Sequence, residues 1–434
     1  MRKKIVTVLA VTMATFGFAQ EILMISKAEI EQKSLEENVQ IKLAKKETEL
    51  AKAELLEARA AYLPDVNLSY TFTGTNNPLM AFGTKLNQER IAMEDFNPDF
   101  LNNPDNITGF ATKLEVRQPI VNMDAVYRKK AGKVKSEVLE IKEERTKEHI
   151  QFELKKAYMM LQLAYKMMGT LENAKLTTLA NKKVVDNYYQ NGMIQKSDVL
   201  YLEVRLGEIE NQIRYAQSNI LNASDYLFFL LNEEPKGRVF KPEEELEYQG
   251  NLLSEEPVLN PNRKDLQAWE KSLEAYDLMI KSSKSEFLPR LNAFGSFELY
   301  DDTFAQFDAN GYWAGIQLSW NLFNGLRSKS QQVKLKTEKL KTQTEIEQYT
   351  KQSSLELHKA YRQVLDADNK VALAKLTWEQ SNEAYRIRKN RYDQGLEKSS
   401  ELLTSETMMA QKELEYHQAI FEYNTALAYY QFLK

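Results

Sequence analysis

Apolar side chains recur at spacings of 3, 4, 3, 4 and 3 residues through Leu154, Ala157, Leu161, Ala164, Met168 and Leu171. The same rhythm returns 203 positions later in Leu357, Ala360, Val364, Ala367, Val371 and Ala374. A mean period of 3.5 residues keeps one seam facing a partner along supercoiled helices, so both segments predict long coiled-coil helices. Little interrupts them: Asn122 to Tyr189 has no proline and only Gly132 and Gly169, and Leu326 to Tyr392 has neither residue. At about 1.5 Å per residue each helix would run roughly 100 Å, far beyond the width of an ordinary core. A returning helix follows each. Val199, Leu202, Leu206, Ile209 and Ile213 begin the 3,4 spacing of the first, and Leu402, Met409, Tyr416, Ile420 and Tyr423 keep the heptad register in the second. The second also carries a parallel stripe, Leu403, Ala410, Leu414 and Phe421. Two stripes call for neighbours on two sides, as in the wall of a helical tube.

Four segments have period two instead. Val66, Leu68, Tyr70 and Phe72 alternate with Asn67, Ser69, Thr71 and Thr73, and Phe110, Thr112, Leu114 and Val116 alternate with Ala111, Lys113, Glu115 and Arg117. The runs from Leu291 to Tyr300 and from Tyr312 to Trp320 follow suit less cleanly. About ten alternating residues fit a strand tilted across a bilayer, with lipid on one face and water on the other. Four strands are too few to close a barrel, and an open edge cannot sit in lipid. Several chains must therefore pool strands, and three would give twelve.

The order of elements repeats. Tyr189-Gln190-Asn191-Gly192 falls on Tyr392-Asp393-Gln394-Gly395, Ile120-Val121-Asn122 on Leu322-Phe323-Asn324, and Leu63-Pro64 on Leu288-Pro289. Internal duplication follows. The expected organisation is a signal peptide over 1–19 and a first repeat over 20–231, with a helix, strands about 65–73 and 110–119, and helices about 122–190 and 197–231. An irregular linker occupies 232–264. The second repeat covers 265–434, with a helix, strands about 290–300 and 312–321, and helices about 325–392 and 400–433. The fold class is mainly α with a small β part. The loop Gly74 to Thr108, rich in Asn, Asp and Pro, is expected outside the cell over the barrel's mouth. The acidic run Glu243-Glu244-Glu245 reads as solvated linker rather than a calcium site.

Composition sharpens this picture. The chain has 434 residues, 43% hydrophobic and 28% charged, with 15 Gly and 10 Pro, roughly half of average usage, which favours long regular elements. It has no Cys, which removes disulfides, thiolate metal sites and thiol catalysis. Arg2, Lys3 and Lys4 precede an apolar run from Ile5 to Phe18, and Gly17 and Ala19 supply the small residues of a cleavage site, so the chain is expected to be exported. The formal charge is −4, and −7 once those three cations leave, which is no footprint for nucleic acid. His149, His358 and His417 lie far apart, no nucleophile motif or metal-ligand spacing is present, and neither an enzyme nor a cofactor is expected. Paired methionines such as Met159-Met160 read as gap filling rather than a copper relay. An exported coiled-coil scaffold would use the helices but not the four strands.

The duplicated order, Ala58-Arg59-Ala60 ahead of Leu63-Pro64, Gln118-Pro119 at a strand's end and the paired Tyr-x-x-Gly turns together resemble the TolC family of outer-membrane efflux proteins. The resemblance spans about Ile22 to Leu433. Asn77-Pro78-Leu79 to Phe82-Gly83 resembles the long loop of one branch. The resemblance implies a homotrimer in which a twelve-stranded barrel in outer-membrane lipid continues as a helical tunnel across the periplasm. It also implies a periplasmic adaptor and an inner-membrane pump of RND or ABC type, in efflux or type I secretion, with passive conduction through an iris at the helical tips.

Those tips are Gln190 to Asp198 and Asp393 to Glu401. Gly192 and Gly395 suit a left-handed helix end, and Ser197-Asp198 and Ser400-Glu401 suit a helix start. The resemblance assigns Glu401 to a carboxylate ring at the aperture that attracts cations, with Thr404 where a second acid is common. It pairs Tyr392 with Asp198 as the gate latch. A basic residue usually two after the glycine is Glu397 in this chain, so the latch is weaker or rebuilt with Arg391 or Lys398. Asn191 and Gln394 mark the surface expected to meet the adaptor.

Overall fold

The computed structural model describes residues 21–250 and 257–434, and the signal segment expected over 1–19 lies outside them. The described residues form two compact units: 21–43, 144–250, 257–261 and 351–434 make the first, and 44–143 with 262–350 the second. Each unit draws on both halves of the sequence. Among the described residues no helix is long and apolar enough to cross a membrane.

The uninterrupted heptads form α5 (Met123–Gln190) and α8 (Arg327–Asp393), of 68 and 67 residues. The returning helices are α6 (Lys196–Leu230) and α9 (Ser399–Leu433). Within the first unit α5 buries two faces, because Leu154, Ala157 and Leu161 join one apolar cluster with Leu227 and Phe228. Met159 and Leu163 join another with Leu357, Ala360, Val364, Tyr423 and Leu427. Leu161, Leu357, Ala360 and Val364 are fully enclosed. A seam buried this completely, at about 2 kcal/mol per large side chain, holds helices that propensity alone could not.

Two features depart from the sequence reading. The described chain begins as a strand, β1 (Glu21–Ile25), before α1 (Lys27–Glu37) and α2 (Val39–Ala60). β1 pairs in parallel with β4 (Arg238–Pro242), inside the stretch expected to be irregular linker. The acidic run is also structural. The Glu244 carboxylate accepts the Lys27 amide at the start of α1 at 3.3 Å and meets the Tyr158 hydroxyl, and Glu245 pairs with Lys166 at 2.5 Å.

The second unit carries β2 (Asp65–Thr75), β3 (Ile107–Val121), β5 (Arg290–Asp301) and β6 (Ala309–Ser319) as one antiparallel sheet in the order β2-β3-β5-β6. The register sets Leu68 opposite Leu114, Leu114 opposite Phe297, and Phe297 opposite Tyr312, so one apolar face crosses all four strands. Lys113 and Glu298 pair at 3.2 Å on the other face. The helix α7 (Lys264–Ser285) leads into β5. The loop after β2 is more ordered than a bare loop, with α3 (Pro78–Asn87) and α4 (Pro98–Asn102) each starting at an Asn-Pro pair. Asn77 and Asn97 cap free amides while proline fills a position whose amide is unneeded. Gln88 fastens this loop to the sheet, donating to the carbonyls of Thr108 and Asp301 at 3.0 and 2.8 Å.

Candidate functional site

α5 meets α6, and α8 meets α9, through turns that close alike. The Gly192 amide donates to the Tyr189 carbonyl and Met193 to Tyr188, both at 2.9 Å, while Gly395 donates to Tyr392 at 2.9 Å and Leu396 to Arg391 at 2.8 Å. These nested bonds satisfy the last helical carbonyls and need a left-handed residue, supplied by Gly192 at φ +72° and Gly395 at φ +75°. Asn191 and Gln394 stand exposed just before each glycine, with the Asn191 side chain returned to the Asn187 carbonyl at 2.8 Å.

Both returning helices start before the serines expected to begin them. Gln195 and Lys398 hold the extended backbone of a cap, so Ser197 and Ser400 already lie in the first turn. The Ser197 hydroxyl faces the Gln195 side chain at 3.4 Å, and it is Asp198 that accepts a backbone amide, that of Gln195, at 3.3 Å.

Tyr392 is buried in the tip cluster with Val185, Leu202, Leu402 and Leu403. Its phenol is pushed above the usual tyrosine range, first by burial and further by the nearby Asp198 carboxylate, whose charge opposes ionisation. The hydrogen-bond partner of the tyrosine oxygen is the buried Ser399 hydroxyl at 3.4 Å. Asp198, expected to pair with Tyr392, lies near it and holds the first turn of α6. Between the two turns opens a groove of about 710 Å³, lined among others by Tyr188, Gln195, Asp198, Tyr392, Glu397 and Ser399.

Glu397 is the centre of a charge cluster. Arg391 Nε lies 2.9 Å from one of its oxygens and Arg388 Nη1 3.4 Å from the other, and the same Arg388 nitrogen lies 2.8 Å from Glu401. Glu401, expected in the aperture's carboxylate ring, therefore has a counter-ion within this chain. The segment 388–401 holds four basic and three acidic residues. Thr404 directs its hydroxyl to the Ser400 carbonyl at 2.8 Å and adds no charge.

The sequence reading overlooked Glu406, which is 3% exposed. The Thr178 hydroxyl and the Asn181 amide of α5 donate to its two oxygens at 2.5 and 2.6 Å. A signal for it exists. In the stripe Leu403, Ala410, Leu414, Phe421 the two steps of seven omit one position each, and a spacing of 3 then 4 places Glu406 and His417 there. The His417 Nδ1 is buried without a hydrogen-bond partner among the described residues.

Residues 259–429 match the family model described as outer membrane efflux protein. No curated protein matches the chain. Among solved structures, a membrane protein from Pseudomonas aeruginosa superposes with a TM-score of 0.78 at 16% identity, covering 94% of this chain and 92% of that one. The CmeC outer membrane channel of Campylobacter jejuni superposes at 0.75 with 15% identity, covering 94% and 85%. The open state of the MtrE outer membrane channel of Neisseria gonorrhoeae also gives 0.75, with 14% identity and 94% and 88% covered. At such identities the structures speak for the fold alone. Residues 259–429 are thus similar to the outer membrane efflux protein family, and over 94% of its length the chain has the fold of these outer-membrane channels.

Proposed function

We propose that this chain is one third of a homotrimeric channel that passes substrates from an inner-membrane pump across the periplasm and the outer membrane. Three four-stranded sheets would close as a twelve-stranded barrel in lipid, and the long helices of three duplicated chains would form the tunnel below it. Conduction would be passive. The tips at Gly192 and Gly395 would serve both as the iris and, through Asn191 and Gln394, as the surface for a periplasmic adaptor working with an RND or ABC pump. A signal peptide ending at Ala19 would bring the chain to the periplasm.

The sheet carries this reading. Leu68, Phe72, Tyr312, Ile316 and Leu318 are each at least 60% exposed on one face, while among the described residues β2 and β6 leave their outer edges without a partner strand. Water disfavours an apolar face of that extent, and lipid disfavours bare strand edges. A barrel shared among copies removes both problems. The helices agree, because α6 leaves Val204, Tyr215 and Phe229 at least 61% exposed in one chain.

The test is the mass of the complex extracted from outer membranes in mild detergent and measured by light scattering. Three mature chains per particle are expected. A monomer or dimer released without detergent would overturn the reading in favour of a coiled-coil scaffold.

A further inference from the structure

Above each tip the packing changes character. The tip cluster takes Val185 from α5, Leu202 from α6 and Leu403 from α9, and the next apolar cluster takes Ala174, Ile209 and Ala410 from the same helices. Between these layers every helix supplies polar groups. Thr178 and Asn181 stand on α5, Arg205 on α6, and Glu406 on α9, with Tyr385 and Lys389 facing Glu406 from α8. A polar layer between two apolar ones fixes register through directed hydrogen bonds and separates the packing above it from the packing below.

We propose that Glu406 is the positioning residue of the gate, forming with Thr178 and Asn181 the polar layer about which the tip moves, so that its protonation sets how readily the tip opens. This rests on the gating role proposed above for the tips. Burial favours the neutral acid and holds the Glu406 carboxyl above its ordinary value of 4.5, against the opposing pull of the Thr178 and Asn181 hydrogen bonds and of Arg205 and Lys389. In an opened tip the carboxyl would meet water and return toward that value. The packed tip therefore binds the proton more tightly than the open one. Below 4.5 both states are protonated and the packed tip keeps its full advantage, which is lost as the pH rises through the raised value. Acid closes the tip and rising pH loosens it.

The test is conductance of the trimer in planar lipid bilayers in potassium chloride, from pH 4.5 to about 8, for the unmodified protein, Glu406→Gln and Tyr392→Ala. Light scattering checks that each variant is a trimer. Glutamine keeps the size of glutamate and can accept from Asn181 while donating to a turned Thr178 hydroxyl, but cannot ionise. We expect conductance of the unmodified trimer to rise about threefold or more with pH, and Glu406→Gln to stay near the acid level throughout. A variant that shifts the baseline but keeps the pH slope would reduce Glu406 to a structural role and overturn the proposal. Tyr392→Ala, which empties part of the tip cluster, separates the two readings. If it raises conductance while Glu406→Gln behaves as the unmodified trimer, the Glu406 proposal falls and the gate stands. If neither variant changes conductance, the gate falls and Glu406 with it.

Discussion

Side chains at the tips divide into those that need a particular backbone and those that need a particular charge. Gly192 and Gly395 have open space where a Cβ would project, so alanine at either meets a conformational penalty and no clash. Gly395→Ala should destabilise the turn by about 1 kcal/mol, read as a lower melting temperature, and asparagine should be better tolerated. Tyr392 works mainly by burial. Its single long hydrogen bond to Ser399 means that Tyr392→Phe should cost below about 1 kcal/mol, whereas Tyr392→Ala should cost about 3 or more in chemical denaturation. A large penalty for the phenylalanine would support a hydroxyl-based latch. Arg388 is the counterpart in charge, because it sits between Glu397 and Glu401. Replacing it by glutamine should leave Glu401 uncompensated and raise the cation-to-anion permeability ratio, measured as the reversal potential in a salt gradient. Exposed ion pairs are weak, so the expected change is about threefold. Nothing in the linear pattern pointed to Arg388, since it lies 13 residues from Glu401 across a turn.

Elements were legible where their partners are close in sequence or their period is long. The heptads at Leu154 and Leu357 mark α5 and α8 because a seam repeated over dozens of residues has no other stable use, and the alternation after Pro64 and Pro289 marks β2 and β5 for the same reason. β1 and β4 were illegible because they are five residues each and pair across 217 positions, with no local turn to announce them. The break between α1 and α2 was missed as well. Asn38 makes it. Buried to 4% exposure, it accepts the Gln40 amide at 2.9 Å as the start of α2 and donates to the Leu230 carbonyl at the end of α6 at 2.7 Å. Alanine there removes a cap and leaves a carbonyl unpaired at once, so Asn38→Ala should cost about 2 to 3 kcal/mol in urea unfolding. A cost near zero would mean that α1 and α2 can run on as one helix.

At the scale of the whole molecule, the deciding question is what the sheet faces. Ile316 and Gln317 are neighbours on β6, so their side chains point to opposite faces, and both are set by a register that continues across β5 and β3. Ile316 belongs to the face shared with Leu114 and Phe297, and Gln317 to the face that holds Lys113 and Glu298. In a barrel the first face meets lipid and the second meets water. A lysine on the lipid face then costs about 2 to 4 kcal/mol near the middle of the bilayer, while the same lysine on the lumen side is nearly free. In a soluble sheet the order would reverse: Ile316→Lys would relieve an exposed apolar patch and improve solubility. The comparison therefore needs no assumption about cargo or pump. Fractionating cells that express each variant, and measuring how much trimer resists extraction from the outer membrane, should show a marked loss for Ile316→Lys and little change for Gln317→Lys. Equal insertion of both would mean that neither face is lipid-bound, and the long helices would then have to find their partners without a membrane to anchor them.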